Sequence, residues 1–321
     1  GGTESDNLAI KGFAMANRDK GCHIIVSSIE HDAVLEAAEF LGKNGFSVTR
    51  LGVDKYGFVD LDELEKAINK GTILVSIMHA NNEIGTIEPI DKIGKICRER
   101  NVIFHTDAVQ SFCKIPIDVD SMNIGLMTLS SHKICGPKGV GALFVRKGVK
   151  MEPILHGGGQ EFGLRSGTEN IAGIVGFGKA AELAYAEMAT ESKRLAKLRD
   201  KLVNETLKID NTWLNGHATE RLPNNANLCF KFIEGEGLVI LLDEANIAVS
   251  TGSACSSKSL EPSHVLLAIG LKHEDAHGSL RITLGKETEE NDVDYFLQTL
   301  PGCVAALRRI SPFKQTFSNN D

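Results

Sequence analysis

The sequence predicts an α/β protein, with a large domain on a mostly parallel sheet and a smaller α+β C-terminal domain. Three observations carry this. Short β-rich runs alternate with helical patterns through the first half, as βαβ units require. Several of those runs are continuously apolar, as strands buried on both faces are. From about 170 to 208 the pattern becomes one long helical stretch without proline. The expected division is 1–180 for the large domain and 181–321 for the linking helix and small domain.

The elements follow in order. "HIIVSS" (23–28) reads as a strand, "AVLEAAEFLGK" (33–43) as a helix and "FSVTRLGV" (46–53) as a strand. "DLDELEKAI" (60–68) is a helix whose Asp60 and Glu63 have the spacing of a capping box. "TILVSIMHA" (72–80) is a strand, "PIDKIGKICRER" (89–100) a helix with proline near its start, and "VIFHTDA" (102–108) a strand. "IGLMTLSS" and "GALFVRK" add two more strands. Beyond the long helix, "NLCFKF", a helix at "GEGLVILLDEA", "SLRITLG" and a terminal pair of helices complete the small domain.

Composition narrows the function classes. The chain has 321 residues, 42% of them hydrophobic and 24% charged, with a net charge of −7. That balance is ordinary for a soluble globular protein and argues against nucleic acid or an anionic membrane as the main partner. No apolar run approaches the ~20 residues that span a bilayer. The seven cysteines are odd in number and include no CxxC pair. A disulfide framework is therefore not expected, and a reducing, cytoplasmic setting is.

In an open parallel sheet, ligands bind beyond the carboxyl ends of the strands. There the sequence places His79 to Asn82, Asp107, Gln110, and Ser130 to Lys133. Each has an ordinary reading: Asp107 as a helix cap, Lys133 as a solvated lysine at a turn. Their coincidence favours chemistry. A lysine and an aspartate on one crevice suit pyridoxal phosphate (PLP). The amine condenses with the cofactor aldehyde, and the carboxylate keeps the pyridine nitrogen protonated. Gly136 and Gly139 allow a tight turn just after the lysine. For the phosphate, "GGTESDNLAI" offers Gly2, Thr3 and a helix start, and Ser130 and His132 offer side-chain donors.

Four other stretches need weighing. "STGSACSSKS" (250–259) surrounds Cys255 with small polar residues, the setting of a reactive rather than a structural thiol. Cys22, Cys97, Cys113 and Cys229 sit in or beside apolar runs and read as core. "HEDAH" (273–277) matches a zinc-protease signature, but Gly270 and Gly278 leave barely two turns and no third ligand is evident. No metal is expected. Arg281, inside the strand "SLRITLG", could clamp a substrate carboxylate or serve a structural ion pair; the residues leave both open. "HGGGQEFGLRSGTEN" (156–170) is a glycine-rich entry to the long helix, or a second anion contact through Thr168.

Read together, "TESDNLAI", "EHDAV", "HANNEIGT", "DAVQS", "SSHKICGPKGVGALFVRK", "GGGQEFGLRSGTEN", "STGSACSS" and "SLRITLG" resemble the cysteine desulfurases of the NifS/IscS type. These are class V aminotransferase relatives of PLP fold type I (aspartate aminotransferase-like). The resemblance runs from residue 1 to about 310. It implies that Lys133 carries the cofactor, Asp107 pairs with the pyridine nitrogen, Gln110 contacts the ring hydroxyl and His31 stacks on the ring and moves protons. Asn82 would line the cofactor site and contact the substrate. Thr3, Ser130 and His132 would hold the phosphate, and Thr168 would reach the phosphate of a neighbouring subunit in a homodimer.

The same resemblance implies that Arg281 binds the carboxylate of L-cysteine and that Cys255, on a long mobile loop, accepts its sulfur. Alanine would be released, and the Cys255 persulfide would serve an iron–sulfur scaffold or another sulfur acceptor. The family's N-terminal segment precedes the T-E-S-x-N motif, here Thr3 to Asn7 just after Gly1, so the large domain is expected to lack it. The alternatives are another PLP enzyme of this fold (a selenocysteine lyase or a class V aminotransferase) and a non-catalytic partner protein.

Overall fold

The computed structural model describes residues 1–252 and 262–312. The chain forms two units. Residues 1–54, 58–82 and 87–189 make the first, and 55–57, 83–86 and 190 onward make the second.

The first unit is built on a six-stranded sheet, β1 (His23–Ser27), β2 (Ser47–Leu51), β3 (Thr72–Ser76), β4 (Ile103–Asp107), β5 (Leu126–Ser130) and β6 (Gly141–Val145). The order is β2-β1-β3-β4-β5-β6, parallel except for the antiparallel β5–β6 pair. Each element except β3 lies within about two residues of its expected bounds. Strand β3 ends earlier than the apolar run does. Its continuation stays bonded to β4, with Ile77 N–H donating to the His105 carbonyl (3.2 Å) and His79 N–H to that of Asp107 (3.0 Å).

Helices α1 (Gly2–Asn7), α2 (Phe13–Ala16), α3 (Asp32–Lys43), α4 (Leu61–Ala67) and α5 (Ile90–Glu99) surround this sheet. A π-helical segment, Leu8–Gly12, joins α1 to α2. Asp60 caps α4, accepting from the N–H groups of Asp62 and Glu63. Central strands β1, β3 and β5 are buried along their whole length, which explains their unbroken apolar character. One core packs Ile25, Val75, Phe104 and Met127 against α4 and α5; the other packs Ile24, Val26, Leu74 and Leu126 against α3 and the first helices. Since β2 and β3 flank β1, connections leave β1 and β3 in opposite directions and open a crevice at their carboxyl ends.

The long helix α6 (Ile171–Thr206) gives Phe177 to the first core and Leu198, Leu202 and Val203 to that of the second unit. The second unit holds an antiparallel sheet of β7 (Thr212–Leu214), β8 (Asn225–Phe230) and β9 (Ser279–Thr283). With it are α7 (Gly235–Glu244), α8 (His264–Ala268), α9 (His273–His277) and α10 (Glu290–Ile310). The expected terminal helical pair is a single helix, α10, running through Pro301. Proline removes one helical hydrogen bond, but Val293, Phe296, Leu300 and Val304 form a continuous buried stripe across it. Packing that stripe outweighs the break. Strand β7 was not foreseen; its residues are only half-buried.

Candidate active site

Strand β5 delivers the lysine. Ser130 closes the strand, and a 3-10 turn, Ser131–Ile134, follows at once. Within it Ser131 and Ile134 are buried while His132 and Lys133 face out. Cys135 takes a left-handed backbone (φ 62°) and Gly136 N–H returns to the Ser131 carbonyl (3.0 Å). A Cβ on Gly136 would collide with Ser131 Oγ, so glycine is required there.

Asp107 closes the neighbouring strand β4 and is 5% exposed. Its Oδ1 accepts the Val109 N–H at 2.8 Å. Burial raises its pKa; that N–H and the charges of His31 and Lys133 act against the rise. His31 caps α3, with Nδ1 accepting the Ala33 N–H at 3.1 Å. Its neutral ring therefore carries the proton on Nε2. Asn82 is half-buried beyond β3, and Gln110 is half-buried beyond Asp107, its carbonyl accepting from Lys114 Nζ (2.9 Å).

The anion-binding residues meet around the start of α1. A Cβ on Gly2 would lie 3.1 Å from Val109 and 3.6 Å from Ser130 Cβ. This glycine therefore sits over the ends of β4 and β5. Ser130 Oγ and His132 Nδ1 are 2.9 Å apart. Burial, with Lys133 and Lys138 nearby, pulls the His132 pKa down. Thr3 is exposed one residue on. The glycine-rich loop reaches the same helix, since Arg165 Nε pairs with Glu4 Oε1 at 2.7 Å. Thr168 is exposed beyond that pair.

Arg281 belongs to the second unit. It lies on β9 opposite Asn227 and exchanges backbone hydrogen bonds with Ser250 (2.6 and 3.2 Å). Cys255 lies outside the described residues. The residues on either side of that stretch share one carboxylate. Ser263 Oγ donates to Glu83 Oε2 at 2.5 Å, and a Cβ on Gly252 would fall 2.8 Å from the same oxygen. Glu83, in "HANNEIGT", was not singled out from the sequence.

A second layer was also not foreseen. His105, two residues before Asp107 on β4, is fully buried. Its Nδ1 meets Ser76 Oγ at 2.8 Å, and its Nε2 lies 3.1 Å from Thr128 Oγ1 and 3.8 Å from Asp6 Oδ1. Glu30 accepts from Ser27 Oγ (2.5 Å) and Met78 N–H (2.8 Å), and burial pushes it up to about 8. The one visible hint was the presence of polar residues inside the apolar runs "SDNLAI" and "VIFHTDA".

The donor set fits PLP. An outward-facing amine, a buried carboxylate at the next strand end, and a glycine, a serine and a histidine grouped around a helix start match the three ends of that molecule. The comparisons agree. The sequence matches the aminotransferase class-V family over residues 1–296. The cysteine desulfurase IscS of Methanosarcina thermophila is 59% identical over 312 residues, covering 97% of this chain and 77% of that protein. A solved NifS-like protein superposes with a TM-score of 0.89 at 40% identity, over 95% of this chain and 81% of that one. A structure described as SspA in complex with cysteine gives 0.77 at 42% identity, over 88% and 79%. The chain belongs to the class-V aminotransferase family, whose cysteine desulfurases are PLP-dependent enzymes. Among the described residues no helix is long and apolar enough to cross a membrane.

Proposed function

We propose that the chain is a PLP-dependent cysteine desulfurase that converts L-cysteine to L-alanine and places the sulfur on Cys255. The observation that carries this reading is the pairing of Asp107 and Lys133 at adjacent strand ends. The identity to IscS supports it across nearly the whole length. Bound PLP supplies an aldehyde that captures amines and a ring that draws electrons from the substrate α-carbon. Asp107 holds a proton on the ring nitrogen. Lys133 Nζ anchors the cofactor and then moves the α-proton. His31, fixed through Nδ1, presents Nε2–H, and Asn82 and Gln110 orient the ring. Gly2, Thr3, Ser130 and His132 bind the phosphate.

Arg281 holds the substrate carboxylate. The Cys255 thiolate attacks the substrate sulfur: an S–S bond forms, the C–S bond breaks, and its electron pair stays on the carbon later protonated to alanine. Residues 1–180 serve as the cofactor-binding part and 181–321 as the linking helix and small domain. A homodimer suits the first unit. Phe162 is fully exposed, and Ile171 and Val175 are 64% and 66% exposed, one turn apart on α6; such patches mark interaction sites. Thr168, exposed between them, would serve the second copy's phosphate. The persulfide is handed to an iron–sulfur scaffold or another acceptor protein, in the cytoplasm.

The test is the visible spectrum of the purified chain with PLP, before and after L-cysteine, beside Lys133→Ala and Cys255→Ala. A Lys133-dependent band that cysteine alters, with alanine and a Cys255-dependent persulfide as products, is expected. Lys133→Ala should lose about 10³-fold or more in turnover. Absence of the band in the wild-type chain would overturn the reading. Transamination without persulfide would replace it with a class V aminotransferase.

A further inference from the structure

The buried layer beneath Asp107 contains a second carboxyl that the desulfurase reading does not use. Asp6, on α1, is 1% exposed. Its Oδ1 has no hydrogen-bond partner among the described residues. The side chain bonds to the Thr128 hydroxyl, and its neighbours of like charge are Asp107 and Glu30. The basic group beside it is His105, 3.8 Å from Oδ1. Full burial pulls that imidazole down to about 3, so it is neutral and makes no ion pair with Asp6.

Two buried carboxyls that repel one another share protons unequally. The donors decide which keeps the charge. Asp107 receives the Val109 N–H at 2.8 Å, and its neighbours Lys133 and His31 both act to keep its pKa down. Asp6 receives one hydroxyl, and its other oxygen receives nothing among the described residues. An ionised Asp6 would leave a bare buried carboxylate oxygen, a cost of several kcal/mol. Protonation removes that cost and the repulsion together. Burial and Asp107 both move the Asp6 pKa well above its ordinary value.

We propose that Asp6 is a positioning residue, a protonated carboxylic acid that reserves the single negative charge of the Asp6–Asp107 pair for Asp107. The arrangement is present before any cofactor binds. Its consequence for the ring nitrogen rests on the proposed function; the protonation pattern does not.

Infrared difference spectra of the cofactor-free chain at pH 7 test this directly. Wild type minus Asp6→Asn should show the carbonyl stretch of a protonated carboxyl. Wild type minus Asp107→Asn should show carboxylate bands. The first difference also separates Asp6 from Glu30, which is present in both samples. Carboxylate bands in the first spectrum, or a carboxyl in the second, would overturn the proposal. If Asp6→Asn does not fold, ¹³C-carboxyl NMR of aspartate-labelled wild type decides: a buried aspartyl carboxyl in the neutral position at pH 7 supports it, and none overturns it. With PLP added, Asp6→Asn should bind within about twofold of wild type, as an amide replacing a neutral acid would. A loss of about tenfold or more would mean that a charge had been removed. Failure of wild type to bind PLP, with both infrared bands as expected, would sink the desulfurase reading and leave the protonation pattern standing.

Discussion

Each unit buries an ionisable side chain, and the two are held in opposite ways. In the second unit Arg221 is 3% exposed and spends its donors on the carbonyls of Ile84, Asn215, His217 and Asn225, at 3.0–3.3 Å. Burial pulls it down to about 10, so it stays charged at neutral pH. It works as a clasp, tying 83–86 and the 215–225 connection to the small sheet. In the first unit Asp107 receives the Val109 N–H and is otherwise balanced by its neighbours His31 and Lys133. A buried charge whose hydrogen bonds are complete is structural. A buried carboxyl whose balance is left to neighbouring titratable groups is a candidate for a ligand site.

The largest expected effect breaks the clasp. Arg221→Met should lower the unfolding free energy by about 3–5 kcal/mol in urea titration, because several buried carbonyls lose their donor at ~1 kcal/mol or more each. An effect under about 1 kcal/mol would show that water takes over those bonds. Asp107→Asn should do the reverse. It should cost little or no stability, since it removes a buried charge, yet reduce PLP-dependent turnover by about 10²-fold. Equal losses in both measurements would end the distinction between the two regions.

A last prediction concerns Glu88. It is 2% exposed and accepts the Val59 N–H at 3.2–3.3 Å. Burial, with Asp54 nearby, pushes it up to about 8. A carboxyl raised in the folded state stabilises fully below its unfolded pKa of about 4.3. That contribution is lost as pH rises toward 8, at no more than about 1.4 kcal/mol per pH unit. Glu88→Gln should flatten the decline in stability between pH 5 and 8. An unchanged slope in denaturant melts would mean that Glu88 is ionised in the fold.

Much of this was legible in the residues. The unbroken apolar runs of β1, β3 and β5 gave away their burial, because a strand covered on both faces has no polar side to show. Lys133 and Asp107 were legible because they interrupt such runs at the ends. Asp6 and His105 were not. Their meaning depends on Ser76, Thr128 and Asp107, which stand on other strands. Local spacing carries no record of that convergence. The α10 helix was misread for the same reason: Pro301 argues locally for a break, and only the packed stripe argues against it.

By itself, then, the sequence determined the alternation of strands and helices, the lysine and aspartate at neighbouring strand ends, and the family. These follow from short-range periodicity and turn chemistry, which neighbouring residues settle among themselves. Tertiary structure alone decided that Glu83 accepts from Ser263 and lies close against Gly252, that Arg221 is a clasp, and that Asp6 is buried among Asp107, Glu30 and His105. Burial and pairing across strands set those properties, because the cost of a charge depends on what surrounds it in space.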